Sequence, residues 1–209
     1  DKFKIGASLI SNHKFSEIKN LTKIIKILKD NKIVSLITDA GTPGVSDPGA
    51  VLINECVKQN IDVIPLPGPS AVTTAISVSG FNDKYLFYGF FPDKNKDINK
   101  DFKKISDLDC SIVFFISAKK FYKKIPILIK YFSGRKVLIC KEITKYYEEY
   151  IRLNVKELEN FKSILRGEIT LVLSGKEEKK NNEILDDSDK KKIRSLLKKM
   201  TIRDIVNHI

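Results

Sequence analysis

At 209 residues, 42% apolar and 31% charged, the chain can bury a core, which excludes a disordered segment, and it holds no apolar run near the roughly 18–20 residues of a membrane span. Its three cysteines, Cys56, Cys110 and Cys140, have no metal-ligand spacing, and neither His13 nor His208 sits in a ligand cluster. Free thiols in a reducing cytoplasm are therefore expected, without a disulfide framework or a metal site. The formal charge of +12 is uneven: residues 83–145 carry 15 basic and 7 acidic side chains, and the flanking parts +2 each, which suits a polyanionic partner held in the middle of the chain.

In chain order, "FSEIKNLTKIIKILKDN" spaces Ile18, Leu21, Ile24, Ile25 and Leu28 as one helix face, with Ser16 or Asn12 available as a cap. "KIVSLIT" (32–38) is an apolar, β-branched run that reads as a strand buried on both faces. After a glycine- and proline-rich loop, Asp47 is expected to cap a helix that has Pro48 in its first turn and carries Val51, Leu52, Cys56 and Val57. "IDVIPL" (61–66) reads as the next strand, and "PGPSAVTTAISVSG" as a tight turn entering a helix of small residues. Alternation of this kind predicts an α/β sheet.

The aromatic stretch "FNDKYLFYGFFPDKNKD" marks a domain boundary near residues 82–84. A helix (97–107), the strand "SIVFFI" (111–116), a helix (118–132) and a strand (135–143) are predicted beyond it. An aromatic strand "YYEEYIRLN", a short helix "VKELENF" and the strand "EITLVLS" (168–174) complete a second α/β unit. "GKEEKKNNEILDDSDKKK" reads as a solvated charged linker. The remaining tail, with apolar positions at Ile193, Leu196, Leu197, Met200, Ile202, Ile205 and Val206, reads as two short helices. The chain begins at Asp1 without an initiator methionine and ends within a helical pattern, so a fragment is expected.

"DAGTPGVSDPG" (39–49) and "PGPSAVTTA" (67–75) each follow a predicted strand. In an open α/β sheet that is the edge where ligands bind. Glycine permits close backbone approach and proline fixes the turn, so two such loops form a crevice walled by main-chain amides and carbonyls. Such a wall suits the edge of an adenine ring or the polar end of an amino acid. Neither glycine-rich phosphate motif is present, and no lysine or arginine lies between residues 33 and 57, where Asp39 and Asp47 do. That composition disfavours a triphosphate and tolerates a cation such as a sulfonium.

Residues 35–81, from "SLITDAGTPG" to "SVSGF", resemble the signature region of the tetrapyrrole-methylase superfamily, and "FYGFFP" (87–92), "KEITKYYEE" (141–149) and "RGEITLVLSG" (166–175) extend the match. Within it, the chain is similar to the branch that methylates ribosomal RNA. The resemblance implies two α/β domains of tetrapyrrole-methylase type, 1–82 and 83–175, with an inter-domain cleft, followed by a charged linker and helical tail over 176–209. It implies S-adenosyl-L-methionine as donor and 2′-O-ribose methylation of a cytidine in small-subunit (16S) ribosomal RNA, by a homodimer. The implied donor contacts are Ala40, Gly41, Thr42, Pro43, Val45 and Asp47 in the first loop, Ser70 and Ala71 in the second, and backbone around Ile116, Thr144, Gly167 and Thr170. The family also begins with a strand and a "P-x-G-N-L-x-D" loop that this sequence lacks, and "FFISAKK" (114–120) places Ile116, Lys119 and Lys120 where the family tends to show an acid, a histidine and an arginine.

Methyl transfer to a ribose oxygen requires an aligned nucleophile, exclusion of water and a proton acceptor. The candidates for the last are Asp39, Glu142 and Lys145. Lys145 serves either as a base with a depressed pKa or as a phosphate ligand. Lys119, Lys120, Lys123, Lys124 and Lys141 are placed to hold RNA, with Tyr146 and Tyr147 to stack on bases. Two other readings are a methylase of a small porphyrinoid and a non-catalytic RNA-binding remnant.

Overall fold

Three apolar runs, "SIVFFIS", "KVLICK" and "EITLVL", have no solvated face and must be covered on both sides. In the computed structural model, which describes residues 4, 6–13, 16–176, 187–197 and 201, they are the three inner strands of one sheet. The strands are β1 (Tyr85–Phe90), β2 (Ser111–Ser117), β3 (Lys136–Lys141), β4 (Glu149–Asn154) and β5 (Glu168–Leu173), in the spatial order β1-β2-β5-β3-β4. β1 runs parallel to β2, whereas β5 is antiparallel to both its neighbours and β4 antiparallel to β3.

Alternation along the inner strands sends two sets of side chains to opposite faces. Ile112, Phe114 and Ile116 of β2, Ile139 of β3 and Leu171 of β5 face α4 (Asn95–Ile105), α5 (Ala118–Phe132) and a 3₁₀ turn (Val155–Asn160). Phe102, Phe121, Leu128 and Phe132 fill that side and are fully buried. Val113, Leu138, Cys140 and Val172 face the other way, against Val72 and Ala75 of the short helix α3 (Ala71–Ser77). Burial holds the Cys140 thiol protonated, its pKa pushed up to about 12.

Arg135 closes one end of the sheet. It is buried, and its guanidinium donates to the carbonyls of Ser106, Leu108, Cys110 and Ser174. Four carbonyls of two separate segments, 106–110 and Ser174, are thereby satisfied by one side chain.

The first part of the chain supplies α1 (Glu17–Lys29) and α2 (Ala50–Lys58), which bury Ile24, Ile25, Leu52 and Cys56 between them. Ser16 is the N-cap residue of α1, but its side chain does not bond the helix; it accepts from the His13 amide and donates to the Ser11 carbonyl. The expected Asp47 cap of α2 is a correction. The carboxylate of Glu17, reaching across from α1, accepts the amides of Gly49 and Val51 at 2.9 and 3.2 Å, while Asp47 accepts from the Thr38 hydroxyl. A carboxylate at a helix N-terminus is favoured by both the orphan amides and the helix dipole.

The expected strands over 32–38 and 61–66 join no ladder among the described residues, leaving Ile33, Ile37, Ile64 and Leu66 about four-fifths or more exposed (94, 78, 80 and 83%). Conversely β1, inside the aromatic stretch taken as a boundary, is a strand that the sequence reading did not name. Contacts divide the chain into Asp1–Glu177 and Glu178–Ile209. In the latter, α6 (Asp187–Leu196) is the described helix; the charged linker over 177–186, Met200, Ile202, Ile205 and Val206 lie outside the described residues.

Removing the Glu17 carboxylate strands two amides, that of Gly49 buried and that of Val51 partly so. Glu17→Ala should therefore cost about 1–3 kcal/mol in urea denaturation, whereas Ile18→Ser, on the exposed side of the same helix turn, should stay within about 0.5 kcal/mol.

Candidate active site

The first loop, 39–49, hangs between α1 and α2 and is folded on itself by a bond from the Val45 amide to the Thr42 carbonyl. Thr38 donates to Asp47 at 2.8 Å and so ties the entry of the loop to its exit. Ala40, Gly41 and Val45 are exposed, and Thr42, Pro43 and Asp47 half-buried. Asp39 is exposed and makes no hydrogen bond or ion pair among the described residues.

The second loop, 67–70, ends at Ser70, which caps α3 by accepting the Thr73 amide. The two loops meet. Thr42 donates its hydroxyl to the Pro69 carbonyl at 3.3 Å, and a Cβ on Gly41 would lie 4.0 Å from that same oxygen. Both loops are held against the sheet: α3 packs on its face, Arg152 of β4 donates to the Val78 carbonyl, and a Cβ on Gly89 of β1 would stand 3.6 Å from the Ser46 hydroxyl.

The second group of expected residues gathers at the end of the sheet where β2 and β3 finish and β5 begins. Ile116 pairs with Ile169, and Thr170 lies between Phe115 and Cys140. The Ile116 side chain is buried in the α4–α5 core and Thr170 is buried on the α3 face. Gly167, with φ +80°, passes its carbonyl to the Ala118 amide at the start of α5. A Cβ at Gly167 would overlap the carboxylate of Glu142, so this position requires glycine on both counts.

Glu142 itself has φ +49° and Thr144 φ +66°, a bend tight enough to turn the chain back immediately after β3. The bend is fixed by polar bonds. Glu142 accepts from the Glu168 amide at 2.9 Å and from Lys145 at 3.1 Å; Lys145 also reaches Glu168 at 2.8 Å, and the Thr144 amide donates to Glu148. The Glu168 amide and then the Lys145 ammonium hold the Glu142 carboxyl below the usual carboxylate range. Bonds to Glu168 and Glu142 push Lys145 up. A basic role for Lys145 needs the opposite shift, so of its two expected roles the geometry favours the cationic one.

The expected RNA-binding side chains divide by partner. Lys120 pairs with Asp93 at 2.7 Å, Lys124 donates to the Asp93 carbonyl, and Lys141 pairs with Glu149 at 2.7 Å. Lys119 and Lys123 are exposed and have no such partner among the described residues. Tyr146 and Tyr147 stand edge to face, 93 and 71% exposed. No hydrogen bond or ion pair joins Asp39 to Glu142 or Lys145 among the described residues.

Comparison with known proteins decides the lineage. The family described as Tetrapyrrole (Corrin/Porphyrin) Methylases matches residues 9–159. The chain belongs to this family. Among curated proteins it is 38% identical, over 85% of its own length and 81% of the relative's, to a Thermotoga maritima protein named Ribosomal RNA small subunit methyltransferase I. Among solved structures, the methyltransferase CobJ matches 76% of this chain and 71% of its own with a TM-score of 0.58 at 15% identity. Uroporphyrin-III C-methyl transferase from Thermus thermophilus, solved with S-adenyl homocysteine, matches 76% of this chain and 73% of its own at 0.54 and 11%. Such low identity shows a shared fold, and the tetrapyrrole-methylase fold is the one this chain has.

Sequence reasoning missed Glu17, whose amide donors lie 32 and 34 residues away, and Arg166, which lines a hollow with Lys141, Glu142, Tyr147, Ile164 and Gly167. Helix periodicity marks the core face but carries no signal for a carboxylate that caps a different helix. Arg166 stands beside Gly167 in the quoted "RGEITLVLSG", and that adjacency was the available clue.

The Glu142 network carries a pH signature. Because its pKa is depressed, its contribution is full above the ordinary glutamate value near ~4.3 and is lost as pH falls through the lower folded value. The raised Lys145 contributes below the ordinary lysine value near ~10.4, and that contribution disappears as pH rises through its higher folded value. The Glu168 amide resonance should therefore titrate with a midpoint below that of a free glutamate, and Glu142→Gln should abolish that step.

Proposed function

We propose that this protein transfers a methyl group from S-adenosyl-L-methionine to the ribose 2′-oxygen of a cytidine in small-subunit (16S) ribosomal RNA. The observation that carries the reading is the 38% identity, across 85% of the chain, to a protein named for small-subunit ribosomal RNA methylation. The joined turns support it, since they offer main-chain atoms and no cationic side chain on the Thr42–Pro69 side.

The residues present fit the donor. Ala40, Gly41, Thr42, Pro43, Val45, Asp47, Ser70 and Ala71 would hold it from the first half, and backbone at Ile116, Thr144, Gly167 and Thr170 from the second. When bound, the donor supplies an electrophilic methyl carbon on a sulfonium sulfur. The chain's own task is to align the ribose oxygen, exclude water and take up its proton. Asp39 is the candidate acceptor whose carboxylate has no partner among the described residues; Glu142 is committed to the Glu168 amide and Lys145. Lys145 stays cationic and acts on phosphate. Lys119, Lys120, Lys123, Lys124 and Lys141 supply the sequence-independent attraction to the RNA backbone, with Tyr146 and Tyr147 as stacking surfaces.

Among the described residues no helix is long and apolar enough to cross a membrane. A cytoplasmic setting follows from the ribosomal substrate, and a homodimer is expected of the family. Ile33, Ile37, Ile64 and Leu66 form the kind of surface that an additional strand, from this or another chain, would cover. Sedimentation at several concentrations reports the dimer.

Methylation of small-subunit particles with labelled donor tests the site. Gly41→Arg and Asp47→Ala should each lower incorporation by roughly 10²-fold, the scale of an ångström-level misplacement; wild-type incorporation by both would overturn the assigned crevice. Calorimetry with S-adenosylhomocysteine separates an enzyme, which binds it, from a remnant scaffold, which does not.

A further inference from the structure

We propose that the hollow lined by Lys141, Glu142, Tyr147, Ile164, Arg166 and Gly167 is a subsite for one single-stranded nucleotide of the RNA substrate, with Arg166 as its phosphate ligand and Tyr147 as its base platform. The inference rests on the ribosomal RNA reading above and specifies where the strand is held.

The hollow is half open, with a volume of about 330 Å³, the small end of the range for ligand pockets. Its walls divide by chemistry. Tyr147 and Ile164 are 71 and 80% exposed, an aromatic face and an aliphatic wall uncovered by the protein. Arg166 makes no hydrogen bond or ion pair among the described residues, whereas the other cation of the hollow, Lys141, is engaged by Glu149 at 2.7 Å. An exposed guanidinium without a carboxylate partner, beside an uncovered ring, matches the recognition of unpaired nucleotides, which combines a phosphate contact with stacking.

The loop bearing these groups is braced. Tyr122 of α5 donates to the Ser163 carbonyl and accepts the Leu165 amide, both at 2.6 Å, fixing the backbone on either side of Ile164. Gly167 fixes the other end through the Ala118 amide. Glu142 contributes negative charge to the floor, which directs a phosphate away from it and toward Arg166. One of its oxygens is taken up by the Glu168 amide and Lys145. The other accepts no bond among the described residues and suits the exocyclic amino group of a base.

The test is binding of a fluorescein-labelled single-stranded RNA taken from small-subunit (16S) ribosomal RNA, followed by anisotropy over a range of salt, with S-adenosylhomocysteine affinity and thermal melting measured in parallel. Arg166→Ala should weaken binding and reduce the slope of log affinity against log salt by about one. Tyr147→Ala should weaken binding by between about 5- and 150-fold with the slope unchanged, the size of one lost base stack. Arg166→Lys should restore the slope, and Lys130→Ala, at the far end of α5, should behave as wild type. A slope and affinity for Arg166→Ala equal to those of Lys130→Ala would overturn the subsite and leave the methyltransfer reading standing. Wild-type protein that binds S-adenosylhomocysteine but not the RNA would overturn the subsite, while the methyltransfer reading is decided by the labelled-donor assay on small-subunit particles.

Discussion

The carboxylate of Glu17 accepts two amides at the start of α2, and the shape of the glycine–proline loop depends on that anchor. A loop so rich in glycine has much conformational freedom to lose. It is pinned at its exit by Glu17, across its neck by the Thr38–Asp47 bond and at its middle by Thr42 on Pro69. Each pin is made by a side chain: Glu17 takes up the Gly49 and Val51 amides, Asp47 the Thr38 hydroxyl, and Thr42 the Pro69 carbonyl. The second half is organised by the same rule. Glu142 holds the Glu168 amide, and the absence of a Cβ at Gly167 gives its carboxylate room to do so.

Electrostatics at the sheet end follow from which cations are already engaged. The surplus in residues 83–145 suggests a continuous basic surface. In the folded chain Lys120, Lys141 and Lys145 are each matched to a carboxylate, so the lysines that face solvent without a partner are fewer than the composition implies. Exposed pairs of this kind add little to stability. Their effect is positional: they hold long side chains in register around the bend after β3, and an arriving phosphate exchanges one anionic partner for another.

Much of the architecture was legible in the sequence because it rests on local patterns. The runs at 111–117 and 168–173 have no polar face, and they are buried inner strands; the spacing in 118–132 gives a helix with one apolar stripe. Longer-range facts were not legible. The runs at 32–38 and 61–66 have the composition of buried strands, but a strand also needs a neighbour, and composition cannot supply one. β1 was hidden because tyrosine and phenylalanine at 85–90 suit a strand and a domain junction equally. Of the site, the glycine–proline loops could be read from residue type and Gly167 from the family resemblance, whereas Arg166 was missed and the Lys145 shift depends on Glu168, 23 residues away.

Arg135 uses carbonyl oxygens where the rest of the molecule uses carboxylates. Burial pushes its pKa down, yet from so high a value that the guanidinium keeps its charge throughout the working range. Carbonyls do not titrate. Acid that protonates Glu142 and frees the Glu168 amide therefore leaves this joint intact: the bend after β3 loosens while the opposite end of the sheet stays tied by a bond set that no proton can undo.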